Sequence, residues 1–197
     1  MRTYPASLYV ETFCTKYLLK LLYVNFRFGS IVVKSHASPS NIVRVMLSSG
    51  IAKATYTYRD PRDIVLSAID HGNRSRESGN NDDAFVSFVS ICDSIPKVKR
   101  RLQRAYAWKS CSGVHFMRYE NIVDDLAKEL QKMVDFLGWQ VSESDIFDIV
   151  GERMKNREKQ PNFNTGKKNR YRVEMTEDEL ISCNTHFERF LQDFYYK

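Results

Sequence analysis

Three short runs rich in β-branched and aromatic residues, each followed by a stretch of helical periodicity, constrain this chain most. They are Ser30–Lys34 (SIVVK), Ala54–Tyr58 (ATYTY) and Val114–Tyr119 (VHFMRY). Each is too brief for a helix, and strands that alternate with helices need crossover connections rather than tight hairpins. The expected outcome is a parallel sheet covered by helices on both faces, in a single α/β domain over residues 1–197 without internal repeats.

The intervening segments read as helices with recognisable ends. Phe13, Tyr17, Leu18, Leu21 and Leu22 predict a helix over Val10–Tyr23. A short helix is expected over Asn41–Ser48, capped by Ser40 or Asn41. Pro61 opens another, carrying Ile64, Val65, Ala68 and Ile69 and predicted to stop at Gly72. The polar residues 73–83 read as an exposed, mobile loop, and Phe85–Ala107 as a helix interrupted at Pro96. An amphipathic helix carries Ile122, Leu126, Leu130, Met133, Val134 and Leu137 and ends at Gly138. Ser142 caps the next, through Val150, and Thr176 with Glu179 forms the capping box of the last.

Composition narrows the function. With 43% apolar and 27% charged residues the chain is neither disordered nor fibrous. A net charge of +6 without a long basic run suggests an anionic ligand rather than nucleic acid. No apolar stretch approaches the ~20 residues of a membrane span. Glu11, Lys16, Lys20 and Arg27 break any signal-peptide core. Cys14, Cys92, Cys111 and Cys183 show no CxxC pairing, so free, mostly buried thiols in a reducing cytoplasm are expected. The four histidines lack metal-ligand spacing with cysteines or carboxylates, and no metal is expected.

The segment Tyr58–Ser67 (YRDPRDIVLS) is the most informative for chemistry. A strand end delivers Arg59 where ligands bind in open α/β folds, and the helix that follows offers free N–H groups suited to phosphate. The residues allow a second reading, in which Arg59 and Arg62 pair with Asp60 and Asp63 in a structural turn. Upstream, Lys34-Ser35-His36 places an ammonium and an imidazole at the end of the preceding strand. An imidazole titrating near neutrality can take a proton, and a fixed ammonium stabilises a moving anion.

Together these segments resemble the PAPS-dependent sulfotransferases. Arg59-Asp60-Pro61-Arg62-Asp63 and Ser67 match the family's Arg-x-Pro-x-Asp-x-x-x-Ser, and Lys34-Ser35-His36 is similar to its Lys-Thr-His. Met117-Arg118-Tyr119-Glu120-Asn121 resembles its Tyr-Glu-Asp strand end, and Phe163–Arg172 its late nucleotide loop, with Gly166, Tyr171 and Arg172 in register. The resemblance implies a three-layer P-loop-type fold with a central parallel sheet. It further implies 3′-phosphoadenosine 5′-phosphosulfate (PAPS, leaving the product PAP) as cofactor. By resemblance Arg59 and Ser67 take its 3′-phosphate and Tyr119 its adenine, Tyr119 being read equally well as an anchor between strand and helix. Gly166 and Lys167 supply a phosphate-binding loop, with Asn164-Thr165 in place of the usual Arg-Lys. His36 is the general base toward the acceptor and Lys34 neutralises the sulfonate.

The family's 5′-phosphosulfate loop, roughly Tyr-Pro-Lys/Arg-Ser-Gly-Thr-Thr-Trp, is altered. Tyr4-Pro5 and Ser7 fit, but Ala6 replaces the cation and Leu8 the glycine. The alternative register sets Glu11-Thr12-Phe13 on Thr-Thr-Trp. Ser7 and Thr12 are the candidates there. The expected activity is sulfonate transfer to a hydroxyl or amine of a small-molecule acceptor, with residues 73–95 and the segment after His36 lining its pocket. Rivals are a non-catalytic PAPS/PAP-binding relative and a nucleotide kinase, the latter without its GxxxxGK[ST] loop. Neither nucleic acid nor membrane is expected as partner. The aromatic tail Phe194-Tyr195-Tyr196 allows a homodimer.

Overall fold

The computed structural model describes residues 7–11, 13, 21, 23, 25–27, 31–156 and 166–196. The chain is mixed α/β, with parallel strands and flanking helices. It divides into two compact units, residues 1–54 with 106–114 and residues 55–105 with 115–197.

In the first unit β1 (Ser7–Tyr9) and β2 (Val32–Lys34) run parallel, with Ser7, Leu8 and Tyr9 opposite Val32, Val33 and Lys34. The Val10 N–H extends the ladder to the Lys34 carbonyl at 2.9 Å. β1 lies inside the segment read from sequence as the altered 5′-phosphosulfate loop, ahead of the helix expected from Val10. Val10, Glu11 and Phe13 are not helical, whereas residues 21, 23 and 25–27 are, so the first helix begins later than expected and passes Tyr23. The helix α1 (Asn41–Ser48) has the expected bounds, with the Ser40 hydroxyl accepting from the Val43 N–H at 3.4 Å, and it buries Val43 and Leu47.

The second unit is built on β3 (Ala54–Tyr58) and β4 (Val114–Arg118), which pair. Tyr56 and Tyr58 meet Phe116 at ring separations of 5.5 and 6.2 Å. The helices are α2 (Pro61–Glu77), α3 (Ile91–Lys109), α4 (Tyr119–Asp124), α5 (Leu126–Leu137), α6 (Glu143–Lys155), α7 (Tyr171–Glu174) and α8 (Glu177–Asp193). Ser142 and Thr176 form full capping boxes on α6 and α8, and Gly138 ends α5 in the left-handed conformation at φ 74°. Val65, Phe88, Ile95, Val98, Cys183, Phe187 and Phe190 form the core.

Helix α2 does not stop at Gly72 but runs five residues further, to Glu77. The glycine is there for space: a Cβ would sit 2.5 Å from the Phe85 carbonyl oxygen and 2.7 Å from that of Phe88. Residues 85–88 cross the helix at this point. Arg76 donates to the carbonyls of Val86 and Phe88, and His71 pairs with Asp83 at 3.1 Å while its ring lies 4.4 Å from that of Phe85. Residues 73–77 are thus the last turn of α2, and the polar stretch after them is tied back to the helix. Helix α3 starts at Ile91 rather than Phe85 and carries Pro96 within it. The long helix expected after β4 is two helices, broken at Asp125, whose side chain caps α5 by accepting from the Lys128 N–H at 2.9 Å. Of the described cysteines only Cys183 is buried; Cys92 is exposed and Cys111 half-buried.

Candidate functional site

The first unit carries Lys34 and His36. Lys34 ends β2, and the ring of its Tyr9 partner in β1 lies 6.1 Å from that of His36, the two planes at 63°. Both Lys34 and His36 are exposed. The backbone just after His36 is secured twice: the Ser35 hydroxyl accepts from the Ala37 N–H at 3.0 Å, and the Trp108 indole donates to the Ala37 carbonyl at 3.1 Å. A fixed strand end with an accessible imidazole suits a base that must meet a substrate hydroxyl. The sequence reading missed this Trp108 contact, because its partner lies 71 positions away. Ser7 sits in β1, paired through its backbone with Val32. Thr12 lies outside the described residues.

In the second unit the end of β3 presents Arg59, and the next residue caps α2, with the Asp60 carboxylate accepting from the Arg62 N–H at 2.9 Å. The two arginines part company here. Arg62 turns inward: its guanidinium donates to Asp60 at 2.9 and 2.6 Å and to Asn184 at 3.0 Å, and it lies 3.8 Å from the ring centre of Tyr171. That is one half of the structural turn, and Arg59 keeps the other half by pairing with Asp63.

Arg59 instead stacks on Tyr119, 4.4 Å from the ring centre, and its Nη2 donates to the Lys167 carbonyl at 2.9 Å and to Asp63 at 3.4 Å. Its Nε is buried and has no hydrogen-bond partner. A buried guanidinium donor without an acceptor is costly, and an anionic ligand at this spot would satisfy it. Three segments more than forty residues apart, at positions 59, 119 and 167, therefore meet at one cation.

The scaffold behind this cation is made of carboxylates. Glu120, buried, accepts from the Asp60 N–H at 3.1 Å, from Arg118 at 3.2 Å and from the Tyr196 hydroxyl at 2.9 Å, joining the ends of β3 and β4. Asp63, fully buried, accepts from the Tyr171 N–H at 3.1 Å. Burial pushes the Asp63 carboxyl above its ordinary value, opposed by the Arg59 charge and by the N–H groups of Tyr171 and Asn169. Arg170 pairs with Asp70 on α2 at 2.8 Å and with Glu174 at 2.6 Å. Residues 166–171 are thereby seated along the first three turns of α2. Lys168 pairs with Asp124, while the Lys167 side chain is exposed. Gly166 has φ 62°, a left-handed conformation that favours glycine.

Of the residues singled out from sequence, Arg59, Tyr119 and Lys167 come together. Ser67 is half-buried one turn beyond Asp63, on the same stripe of α2. Among the described residues no group of three or more His, Cys, Asp or Glu is disposed to hold a metal ion, and no helix is long and apolar enough to cross a membrane.

The fold has counterparts among solved structures. Retinol dehydratase in complex with androsterone and the inactive cofactor PAP is 20% identical with a TM-score of 0.59, over 90% of this chain and 61% of that one. Retinol dehydratase with retinol and PAP is 21% identical with a TM-score of 0.58, over the same shares. Mouse sulfotransferase SULT7A1 complexed with PAP is 17% identical with a TM-score of 0.58, over 82% and 65%. The chain thus spans about three fifths of the retinol dehydratase length. No curated protein sequence gives a significant match. The sulfotransferase domain matches residues 24–193, which include β2, the β3–α2 junction, the end of β4 and the 166–171 segment, and the chain belongs to that family.

Proposed function

We propose that this chain transfers a sulfonate from PAPS to a hydroxyl or amine of a small-molecule acceptor. The observation that carries the reading is Arg59, a guanidinium with one buried, unpartnered N–H, set against an aromatic face and the backbone of the 166–171 segment. These groups fit the adenosine 3′-phosphate end of such a nucleotide: Arg59 and Ser67 for the phosphate, the backbone and side chains around Gly166 and Lys167 beside it, and Tyr119 for the base. PAPS would supply an activated sulfonate. His36 would take the acceptor proton, and Lys34 would hold positive charge near the sulfonate oxygens. The solved relatives bound to PAP, two of them with androsterone or retinol, support both the nucleotide and a small acceptor. A cytoplasmic setting belongs to the same proposal.

A second reading, a PAP-binding protein without turnover, is favoured by Ala6 and Leu8 where the family carries a cation and a glycine. Calorimetry with PAP beside a turnover assay with PAPS separates the two. For the transferase, His36→Ala abolishes turnover and leaves the PAP Kd unchanged. Arg59→Ala weakens PAP by about 10- to 100-fold, the worth of a charge-assisted hydrogen bond. Tight PAP binding with no turnover across a panel of hydroxyl and amine acceptors favours the second reading. Absence of PAP binding removes both.

A further inference from the structure

Asp63 has no role in the chemistry above, yet it is a carboxylate with no solvent exposure in the first turn of α2. Burying a charge is expensive unless every lone pair is engaged, and losing one partner of such a group leaves an uncompensated charge or donor behind. Its partners are specific. Oδ1 accepts from the Tyr171 N–H at 3.1 Å, the carboxylate also takes the Asn169 N–H, and Oδ2 lies 3.4 Å from Nη2 of Arg59. The same Nη2 reaches the Lys167 carbonyl at 2.9 Å. The contacts close a circuit, from Asp63 to Arg59, to the backbone of Lys167, and back along Asn169 and Tyr171 to Asp63. Asn169 takes a positive φ of 57°, so the chain bends where its N–H groups converge on this carboxylate.

We infer that Asp63 is a positioning residue for nucleotide capture, a role that rests on the sulfotransferase reading: it couples the 166–171 segment to the Arg59 guanidinium, so that seating the segment and binding the 3′-phosphate are one event. A carboxylate suits the task where an amide does not. It accepts from two backbone N–H groups and a cation at once, whereas Asn offers one acceptor oxygen and turns a donor toward Arg59 or the backbone.

The test uses the full chain, PAP as probe, and Asp63→Asn. Wild-type protein is titrated with PAP, and hydrogen exchange at the Asn169 and Tyr171 amides is followed with and without it. The expected result is that PAP slows both amides in the wild type. Asp63→Asn, with an unchanged far-ultraviolet dichroism spectrum, binds PAP about 10- to 100-fold more weakly, and PAP no longer slows those amides. A purely structural ion pair would lower the unfolding midpoint yet leave the PAP-dependent exchange intact, and that outcome overturns the inference, as does wild-type affinity in Asp63→Asn. If the variant does not fold, wild-type exchange decides: amides at 169 and 171 indifferent to PAP overturn the role. Wild-type protein that does not bind PAP refutes the functional reading and this role together, and the wild-type titration alone identifies that case.

Discussion

Gly72→Ala and Gly151→Ala are the same substitution in two helix interiors, and the structure sets them on opposite sides of zero. Replacing an interior helical glycine by alanine ordinarily stabilises by about 0.5–1 kcal/mol, through lost backbone freedom in the unfolded chain. At Gly151, on the exposed side of α6, a Cβ meets nothing within 4 Å, so the full gain is expected. At Gly72 the Cβ would meet two backbone carbonyl oxygens at 2.5 and 2.7 Å and Nη1 of Arg76 at 3.0 Å. Neither carbonyl can rotate away, because that of Phe85 accepts from the Phe88 N–H at 2.8 Å and that of Phe88 from Arg76, so residues 85–88 must lift from α2. Overpacking of this kind costs about 1–3 kcal/mol, and it exceeds the helical gain. Gly72→Ala is therefore expected to be less stable than wild type by about 1–2 kcal/mol, and Gly151→Ala more stable by about 0.5–1 kcal/mol. Urea unfolding at a fixed m-value reads both, and for a chain of this size each kcal/mol moves Tm by about 2–4 °C. Equal or greater stability in Gly72→Ala would refute the close crossing of residues 85–88 over the helix.

Arg62→Ala should cost about 3–5 kcal/mol in urea unfolding, because it strands the buried Asp60 carboxylate; a cost below about 1 kcal/mol would refute that pairing. Tyr119→Ala should weaken PAP by about tenfold, the order of an aromatic–base contact, at unchanged far-ultraviolet dichroism; unchanged affinity would make Tyr119 only an anchor between β4 and α4. In native protein at pH 8 a thiol reagent should label Cys92 rapidly and leave Cys183 unlabelled by mass spectrometry. Burial raises the Cys183 thiol from 9.0 to about 11, so the unfolded chain loses that proton first. Stability should then fall by about 1–3 kcal/mol between pH 9 and 11, a component missing from Cys183→Ala when its pH profile is subtracted from the wild type.

Much of this architecture was legible one turn at a time. The bounds of α1 and β3, the caps at Ser40, Ser142 and Thr176 and the stop at Gly138 follow from side chains that hydrogen-bond, or backbones that bend, within four residues of themselves. The segment Arg59–Ser67 stood out for the same reason, since strand end, proline and cap are neighbours in the chain. The misread elements were decided at long range. Gly72 has the look of a helix stop, but its missing side chain answers to carbonyls at 85 and 88. The strand β1 is three residues long and exists by pairing with residues 32–34.

The site divides along the same line. By itself the sequence established the types: an arginine at a strand end, a serine two turns into the helix after it, a Lys-x-His at another strand end and a basic glycine segment near the end of the chain. Only the tertiary structure separated Arg62, paired with Asp60 and covered by Tyr171, from Arg59, stacked on Tyr119 with one donor unsatisfied. The two side chains are chemically identical and three residues apart. Each meets a buried carboxylate, and which of them also keeps an unpartnered N–H depends on residues 119 and 167–171, brought alongside by packing that no local propensity encodes.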